Sequence, residues 1–510
     1  MQAVYDVVVV GSGFGGSVSA LRVAEAGKSV LVLERGKDYS NCDFPRNTQD
    51  TNSLFWQQTD RPNSQGLFEL NFFSDVGVAC ASGVGGGSLI YANIHIRPDK
   101  SVFDSPRWPE EINLSSLSSY YDKVAATLGI SPVPEEMSFP KRNVFRDCAK
   151  SLDVPVFDPD QAVAWEKCQY CAECEFGCKY DAKNTLAKTY LQQALDAGAE
   201  VQAQSLVTII EPTFKGYYVH YRDLKTGAHK KQVKTRRVIL AAGTLGTNEL
   251  LFRNRDGFKT LGDVSRTLGR GFSANGDFLG SLQNATRLSD PWVGPDVTSV
   301  MKYDLQDSFF TLAAPTFNQV SQEFLASLGQ RRGKLLRFIG PVIWRFLPRL
   351  IPWAFEKGYI GEPLARPGPN AGPASEFTNL FAIGRDNANG RLLFRRNRLD
   401  IEWDYYRENR ILVKRMIEVM QEMARFYEGT FEPLVTWNMA QKPFTVHPLG
   451  GCSMSDSIEN GVVSATGEVH DYPGLYISDG AIIPAAIGYH PVMTITAIAE
   501  RNAEAIVDSF

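Results

Sequence analysis

The chain carries six histidines, His95, His220, His229, His447, His470 and His490, and two of them stand directly before proline. These are His447, opening His447-Pro448-Leu449-Gly450-Gly451-Cys452, and His490, in Gly488-Tyr489-His490-Pro491. Imidazole titrates near working pH, so either ring can accept a proton or donate a hydrogen bond to a substrate oxygen. A histidine met alone is more often structural, so the weight falls on the motifs around these two. A second chemical grouping is Cys168-x2-Cys171-x2-Cys174-x3-Cys178, with Lys179 where a proline usually follows. That spacing wraps a cubane iron–sulfur cluster (4Fe-4S, or 3Fe-4S with one ligand fewer) in bacterial-type ferredoxins. Zinc is the competing metal, although its four-cysteine sites usually separate two C-x2-C pairs by a longer loop. Disulfides are a third reading, disfavoured by the expected compartment, and free thiols remain beside zinc. The remaining cysteines, Cys42, Cys80, Cys148 and Cys452, are scattered, which is not a secreted disulfide framework.

Stepping from these side chains to the elements that must hold them, Asp6-Val7-Val8-Val9-Val10 is an unbroken β-branched run suited to a parallel strand buried on both faces. It ends in Gly11-Ser12-Gly13-Phe14-Gly15-Gly16; a helix is expected over 17–26, Gly27 ends it, and Ser29-Val30-Leu31-Val32-Leu33 is a second strand closed by Glu34. Gly11 permits the tight turn, Gly13 lets backbone approach a pyrophosphate, and Gly16 allows close helix packing, while the helix N-terminus offers free N–H donors to phosphate. Glu34 is placed to take ribose hydroxyls. This complete βαβ unit predicts binding of FAD or NAD, and the acid at its end argues against a 2′-phosphate and so against NADP.

Two more glycine-bearing segments favour a large planar ligand. Ser82-Gly83-Val84-Gly85-Gly86-Gly87-Ser88 is too glycine-rich for a regular element and runs into Leu89-Ile90-Tyr91-Ala92-Asn93. A strand is expected over 238–244, ending in the small residues Ala241-Ala242-Gly243-Thr244, with a helix over 247–252. Near the C-terminus, Gly474-Leu475-Tyr476-Ile477-Ser478-Asp479-Gly480 reads as a short strand with an acidic end, and a helix is expected over 492–507. Pro491 suits the first position of that helix, so His490 sits where the helix's partial positive charge can face a ligand.

At 510 residues, 44% of them hydrophobic, the chain can bury a large core and form two connected domains. A net charge of −4 offers no attraction to nucleic acid. No apolar run reaches the roughly 18 residues that cross a bilayer, and the N-terminus shows no basic leader, so a cytoplasmic location is expected.

Taken in order, the N-terminal nucleotide motif, Ala-Ser-Gly-Val-Gly-Gly-Gly-Ser (81–88), Ala-Ala-Gly-Thr-Leu-Gly-Thr (241–247), His-Pro-Leu-Gly-Gly-Cys (447–452) and Ser-Asp-Gly (478–480) resemble the glucose-methanol-choline (GMC) FAD oxidoreductases over nearly the whole chain. Within that family the chain looks most like the bacterial cholesterol oxidase branch, which carries asparagine where this chain has His490; other members carry histidine. The resemblance implies an α/β fold, with a Rossmann-like FAD-binding domain over 1–100, 190–271 and 437–510. An interleaved α+β substrate domain over 272–436 and a connecting segment over 101–189 complete it. It implies FAD contacts from Gly11, Gly13, Phe14, Gly15, Gly16, Glu34, Arg35, Gly83, Gly86, Gly87, Ser88, Asn93, Val207, Ala242, Gly243, Asp479, Gly480, His490, Pro491 and Val492. It also implies catalysis by His447 and His490, which would help the hydroxyl proton leave as hydride passes to the flavin.

The implied substrate is a hydrophobic alcohol: a sterol, a terpenoid or a long-chain alcohol. Electrons would pass to oxygen or, through an iron–sulfur cluster, to a protein or quinone acceptor. A flavin and iron–sulfur electron-transfer subunit and a sugar-alcohol dehydrogenase are the competing functions. In the substrate region, Leu399 to Asp404 alternates like a strand, and 361–374 reads as a surface loop. Residues 331–355 interleave six basic residues with aromatic and apolar ones, and fit either a membrane interface or a lid packed on the core.

Overall fold

The computed structural model describes residues 4–45, 51–56, 65–227, 231–287, 289, 293–317 and 377–510. The basic aromatic stretch 331–355 and the loop 361–374 lie outside the described residues.

Along the chain, β1 (Val4–Val10) leads into α1 (Phe14–Glu25) and back into β2 (Val30–Leu33), parallel to β1 with Val7 opposite Val30. Val7 to Val9 are fully buried, as an apolar run between two covered faces requires. The helix begins three residues earlier than expected, at the Gly13 cap. Gly16 lies at its closest approach to the sheet: a Cβ there would stand 2.1 Å from the Gly11 carbonyl oxygen, so no larger residue fits.

Next come β3 (Glu200–Gln202), β4 (Ser205–Thr213), β5 (Gly216–Asp223) and β6 (Lys231–Leu240), followed by α2 (Gly243–Phe252). The strand expected over 238–244 is the buried end of the longer β6. β5 alternates half-buried and buried residues, the mark of an antiparallel strand with one wet face.

The second sheet is built from β7 (Phe278–Gln283), β8 (Val300–Leu305), β9 (Ser308–Ala313) and β10 (Thr378–Gly384). The strand expected from Leu399 is present as Arg398–Glu402. After α3 (Arg410–Phe426), β11 (Thr430–Pro433) closes one edge of the second sheet. Its order is β11-β7-β10-β9-β8, with the pair Val156–Phe157 on the far edge. α3 buries Leu412, Val413, Met416, Met420 and Met423 at helical spacing against it.

Finally β12 (Leu475–Ile477) returns to the first sheet, and α4 (Val492–Asp508) ends the chain. The first sheet thus runs β3-β2-β1-β6, with β5 beside the first half of β6 and β12 beside its last three residues. β1, β6 and β12 therefore end side by side, and the loops that follow each of them, at Gly11, Ala241 and Ser478, meet at one edge. Open parallel sheets bind ligands there.

α1 and α4 are tied by a buried ion pair. The Glu500 carboxylate, with no accessible side-chain surface, receives Arg22 Nε and Nη2 at 2.7 Å each and the Tyr190 hydroxyl at 2.8 Å. Burial alone would raise the carboxyl's pKa; Arg22, Tyr190 and Lys123 outweigh it and hold it below the ordinary value. A depressed folded-state value contributes stability that is complete above the unfolded carboxyl's pKa and is lost as pH falls through the folded one. Glu500→Gln is therefore predicted to lower stability at neutral pH by about 1–3 kcal/mol, because it removes the buried anion and leaves Arg22 only the exposed Glu25 carboxylate. Urea unfolding at pH 7 and at pH 4 checks this, since the gap between variant and native chain must narrow at the lower pH.

Candidate active site

A cavity of about 510 Å³ lies between the two sheets, in the range of cofactor and small-molecule sites. It is lined by Glu34, Arg35, Val207 and Arg253, by Gly11, Gly13, Phe14, Gly15, Ala242, Gly243, Asp479 and Gly480, and by Gly86, Gly87, Phe381, His447, His490, Pro491 and Val492. Residues from ten separate stretches of sequence thus line one cavity. Four of the expected contacts do not line it. Gly16 serves helix packing, Gly83 packs under Leu89, and the Ser88 hydroxyl bonds the Gly85 carbonyl (2.7 Å) and the Leu186 N–H (3.0 Å). Asn93 is fully buried at a left-handed φ of 65°, and both polar atoms of its side chain have no protein partner.

FAD fits these residues. Nothing stands within 4 Å of where a Gly13 Cβ would be, so backbone meets open cavity at the head of α1, as a diphosphate requires. The Glu34 carboxylate is held by Ser12 N (3.0 Å), Ser12 Oγ (2.6 Å) and Gly36 N (2.8 Å) and still faces the cavity. Asp479 accepts from Ala481 N (2.8 Å), Gly243 N (3.0 Å) and Thr247 Oγ1 (2.5 Å), so it locks the end of β12 to the head of α2. Burial pushes its carboxyl up to about 6 against those bonds. The orphaned amide of Asn93 and the orphaned Nδ1 of His490 are buried polar groups of the kind that a bound ligand or water satisfies.

The two histidines meet edge to face, ring centres 5.3 Å apart at 80°, and Phe381 of β10 lies flat on His447 at 5.5 Å. Sequence reasoning missed the residue that orients this pair. Asp277, fully buried, receives His447 Nδ1 at 2.9 Å on one oxygen and Thr445 Oγ1 (2.8 Å) and Val446 N (2.9 Å) on the other. A carboxylate only accepts, so Nδ1 carries the hydrogen and Nε2 keeps the lone pair. His490 is buried, and burial first, then the neighbouring His447 and His95, drive its pKa well below that of a free imidazole, so it stands neutral.

Asp277 ends the loop Ser273-Ala274-Asn275-Gly276-Asp277. Asn275 donates to the Tyr489 carbonyl (2.8 Å) and accepts from Ile487 N (2.8 Å) and Gly488 N (3.0 Å), which fixes the loop before His490. Gly276 has a φ of 61°, and a Cβ there would stand 2.4 Å from the Gly384 carbonyl oxygen, so only glycine makes the turn. Asp386, in the Gly384 to Gly390 turn, receives Ser273 Oγ, Ala274 N, Gly276 N and Ala388 N at 2.8 to 3.0 Å. An Asn-Gly pair in the sequence signals this turn; nothing in it signals the partners.

The expectation of a metal at Cys168, Cys171, Cys174 and Cys178 finds no support in the structure. Among the described residues, no group of three or more histidines, cysteines, aspartates or glutamates is arranged to hold a metal ion. The loop turns through left-handed residues at Tyr170 and Ala172 and a short helical turn over Cys174–Phe176. Lys183 Nζ pins the Cys174 carbonyl at 2.8 Å, and Cys178 Sγ accepts from Ala182 N. Burial pushes the Cys174 thiol up to about 12, and none of the eight cysteines is in a disulfide. No helix among the described residues is long and apolar enough to cross a membrane.

A nucleotide-binding parallel sheet, a roofed cavity that fits FAD and a pair of facing histidines define a flavin-dependent oxidoreductase acting on CH–OH donors. The chain belongs to the GMC oxidoreductase family: residues 5–269 match its N-terminal domain and 392–499 its C-terminal domain. It is 30% identical to a cholesterol oxidase of Mycobacterium tuberculosis (strain ATCC 25618 / H37Rv), over 99% of this chain and 91% of that one. It is 27% identical to a cholesterol oxidase of Acinetobacter baumannii (98% and 93%), and 24% identical to a long-chain-alcohol oxidase of Arabidopsis thaliana (99% and 67%). Its fold is similar to the crystal structure of pyridoxine 4-oxidase from Mesorbium loti, with a TM-score of 0.67 at 16% identity over 98% and 99% of the two chains.

Removing the Asn275 amide strands three backbone groups in the loop that delivers His490. Asn275→Ala is predicted to cost roughly 1–3 kcal/mol of stability and to loosen the cofactor. Thermal unfolding, with flavin fluorescence followed in the same scan, measures both.

Proposed function

We propose that this protein oxidises the CH–OH group of a hydrophobic alcohol, a sterol, terpenoid or long-chain alcohol, with His447 as proton acceptor, His490 as its neutral partner and dioxygen as the electron acceptor. In this reading 1–100, 190–271 and 437–510 bind FAD through the residues named for it above, and 272–436 hold the substrate. The observation that carries the reading is the Asp277–His447 pair at 2.9 Å beneath Phe381.

FAD bound in the cavity supplies the hydride acceptor. His447 Nε2, whose lone pair is left free by the Asp277 contact, takes the hydroxyl proton, and Asp277 steadies the imidazolium that results. His490, held neutral by burial, donates or accepts a hydrogen bond at the alcohol oxygen without adding a second charge. Phe381 limits rotation of the His447 ring and helps exclude water. A hydrophobic substrate is supported by the apolar wall of Ile94, Val297, Pro315 and Phe381 and by relatives named as cholesterol and long-chain-alcohol oxidases. Their designation as oxidases supports dioxygen as acceptor.

Anaerobic mixing of the holoenzyme with sterols, terpenoid alcohols and 1-alkanols is expected to bleach the flavin with at least one of them; failure with every class overturns the proposal. Readmitting air is expected to yield one hydrogen peroxide per alcohol oxidised. His447→Ala should slow bleaching on the order of 10²–10⁴-fold with flavin content unchanged, and Asp277→Asn should slow it too, by leaving the ring without its anionic partner. Stopped-flow absorbance separates these effects from loss of FAD, and undiminished bleaching by His447→Ala would reject the assignment of the base.

A further inference from the structure

The cysteine-bearing segment, which gathers no metal group, brings one unexplained side chain to the cavity. Glu175 follows Cys174 in the short helical turn and lines the wall. Its carboxyl lies against that of Asp296, which has no accessible surface and whose Oδ2 finds no hydrogen-bond partner, and burial raises both above the ordinary carboxyl range. Two buried lysines flank the pair, yet both spend their protons on main chain. Lys141 Nζ donates to the carbonyls of Asp296 (2.6 Å) and Ala314 (2.8 Å), and Lys183 Nζ to those of Leu89 (3.2 Å), Tyr91 (2.6 Å) and Cys174 (2.8 Å). Glu175 is thus fixed in place while its cavity face remains available.

The position is on the substrate side of the cavity. Asp296 Oδ1 accepts from Thr316 N (3.1 Å), and the adjacent Pro315 lines the same wall. Pro315 lies two residues beyond Ala313, which pairs across the roof sheet with Phe381, the ring stacked on His447. Ile94, Val297 and Pro315 give the same cavity apolar surface. A half-buried acid among them hydrogen-bonds whatever oxygen is brought to it, and is left poorly satisfied by hydrocarbon.

We propose that Glu175 is a specificity-determining residue that hydrogen-bonds a second oxygen of the substrate, a hydroxyl or carbonyl remote from the carbinol being oxidised. The inference rests on the alcohol-oxidising reading of the cavity. A carboxyl accepts a hydrogen bond in either form and donates one when protonated, so either oxygen type is bound. A substrate lacking it leaves that carboxyl facing hydrocarbon, which discriminates by roughly 10- to 100-fold.

The test uses paired alcohols that differ in that oxygen alone: 1-alkanols against α,ω-diols of six to twelve carbons, and a 3-hydroxysteroid with and without a 17-keto group. With native holoenzyme, kcat/KM is expected to favour the dioxygenated member of the best pair by about 10-fold or more, mainly through KM. Glu175→Leu should abolish the preference by raising KM for that member, leaving kcat on the plain alcohol within about threefold; Glu175→Gln, which keeps a donor and an acceptor, should retain part of it. Flavin content reports folding, and if the leucine variant lacks FAD the glutamine variant's ratio decides. Equal handling of both members by the native enzyme overturns the inference, as does an equal loss on both in a flavin-replete variant. Failure of every alcohol to bleach the flavin instead refutes the underlying reading.

Discussion

The site depends on one short loop that is held from both sides. Ser273 to Asp277 is braced from behind by the Asp386 carboxylate and reaches forward twice, through Asn275 to the carbonyl and N–H groups just before His490, and through Asp277 to His447. Two histidines 43 positions apart in the chain are thereby set at one fixed angle by neighbours only two residues from each other. Apart from the partly exposed His447 ring, these polar groups are buried, so a missing bond would leave a partner unsatisfied at a cost that is a sizeable share of a domain's net stability. The loop consequently has one acceptable conformation, and Gly276 is the residue that permits it.

The same burial sorts the histidines by role. His447 has an anionic partner and His490 has none, so a proton arriving at the pair is favoured on His447; the low-dielectric surroundings that hold His490 neutral strengthen the Asp277 contact. Buried carboxyls recur around the cavity. Asp386 and Asp479 are each held by several N–H or O–H donors, and Asp479 joins the end of β12 to the head of α2 where the cofactor's diphosphate would lie. Carboxyls thus act as anchors for backbone in one case and as the orienting partner of the His447 ring in the other.

Much of the cofactor half was legible because its signals are local. The run Asp6 to Glu34 encodes strand, turn, helix and strand within the reach of backbone sterics, and glycine positions there are dictated by contacts only a few residues away or by the strand next door. His447 and His490 were visible from their proline-bearing motifs. The four cysteines misled for the opposite reason: spacing describes which ligands a loop could offer, and the loop's path was set instead by Lys183, which binds three carbonyls from two segments. Gly83 and Ser88 lie in the same glycine-rich run as Gly86 and Gly87, yet their contacts go to packing against Leu89 and to Leu186.

The sequence by itself determined a nucleotide-binding α/β fold, the family and the pair of histidines, because periodicity and glycine placement act over short distances. Only the tertiary structure decided which carboxylate pairs with His447, that Asn275 positions the loop before His490, that the cysteine segment supplies Glu175 to a wall rather than ligands to a metal, and which predicted contacts face the cavity. Each of those outcomes is a hydrogen bond or a burial between residues from about 90 to more than 200 positions apart. No local pattern encodes such a partner; it is selected when the two sheets close over a shared cavity and every buried polar group must find one.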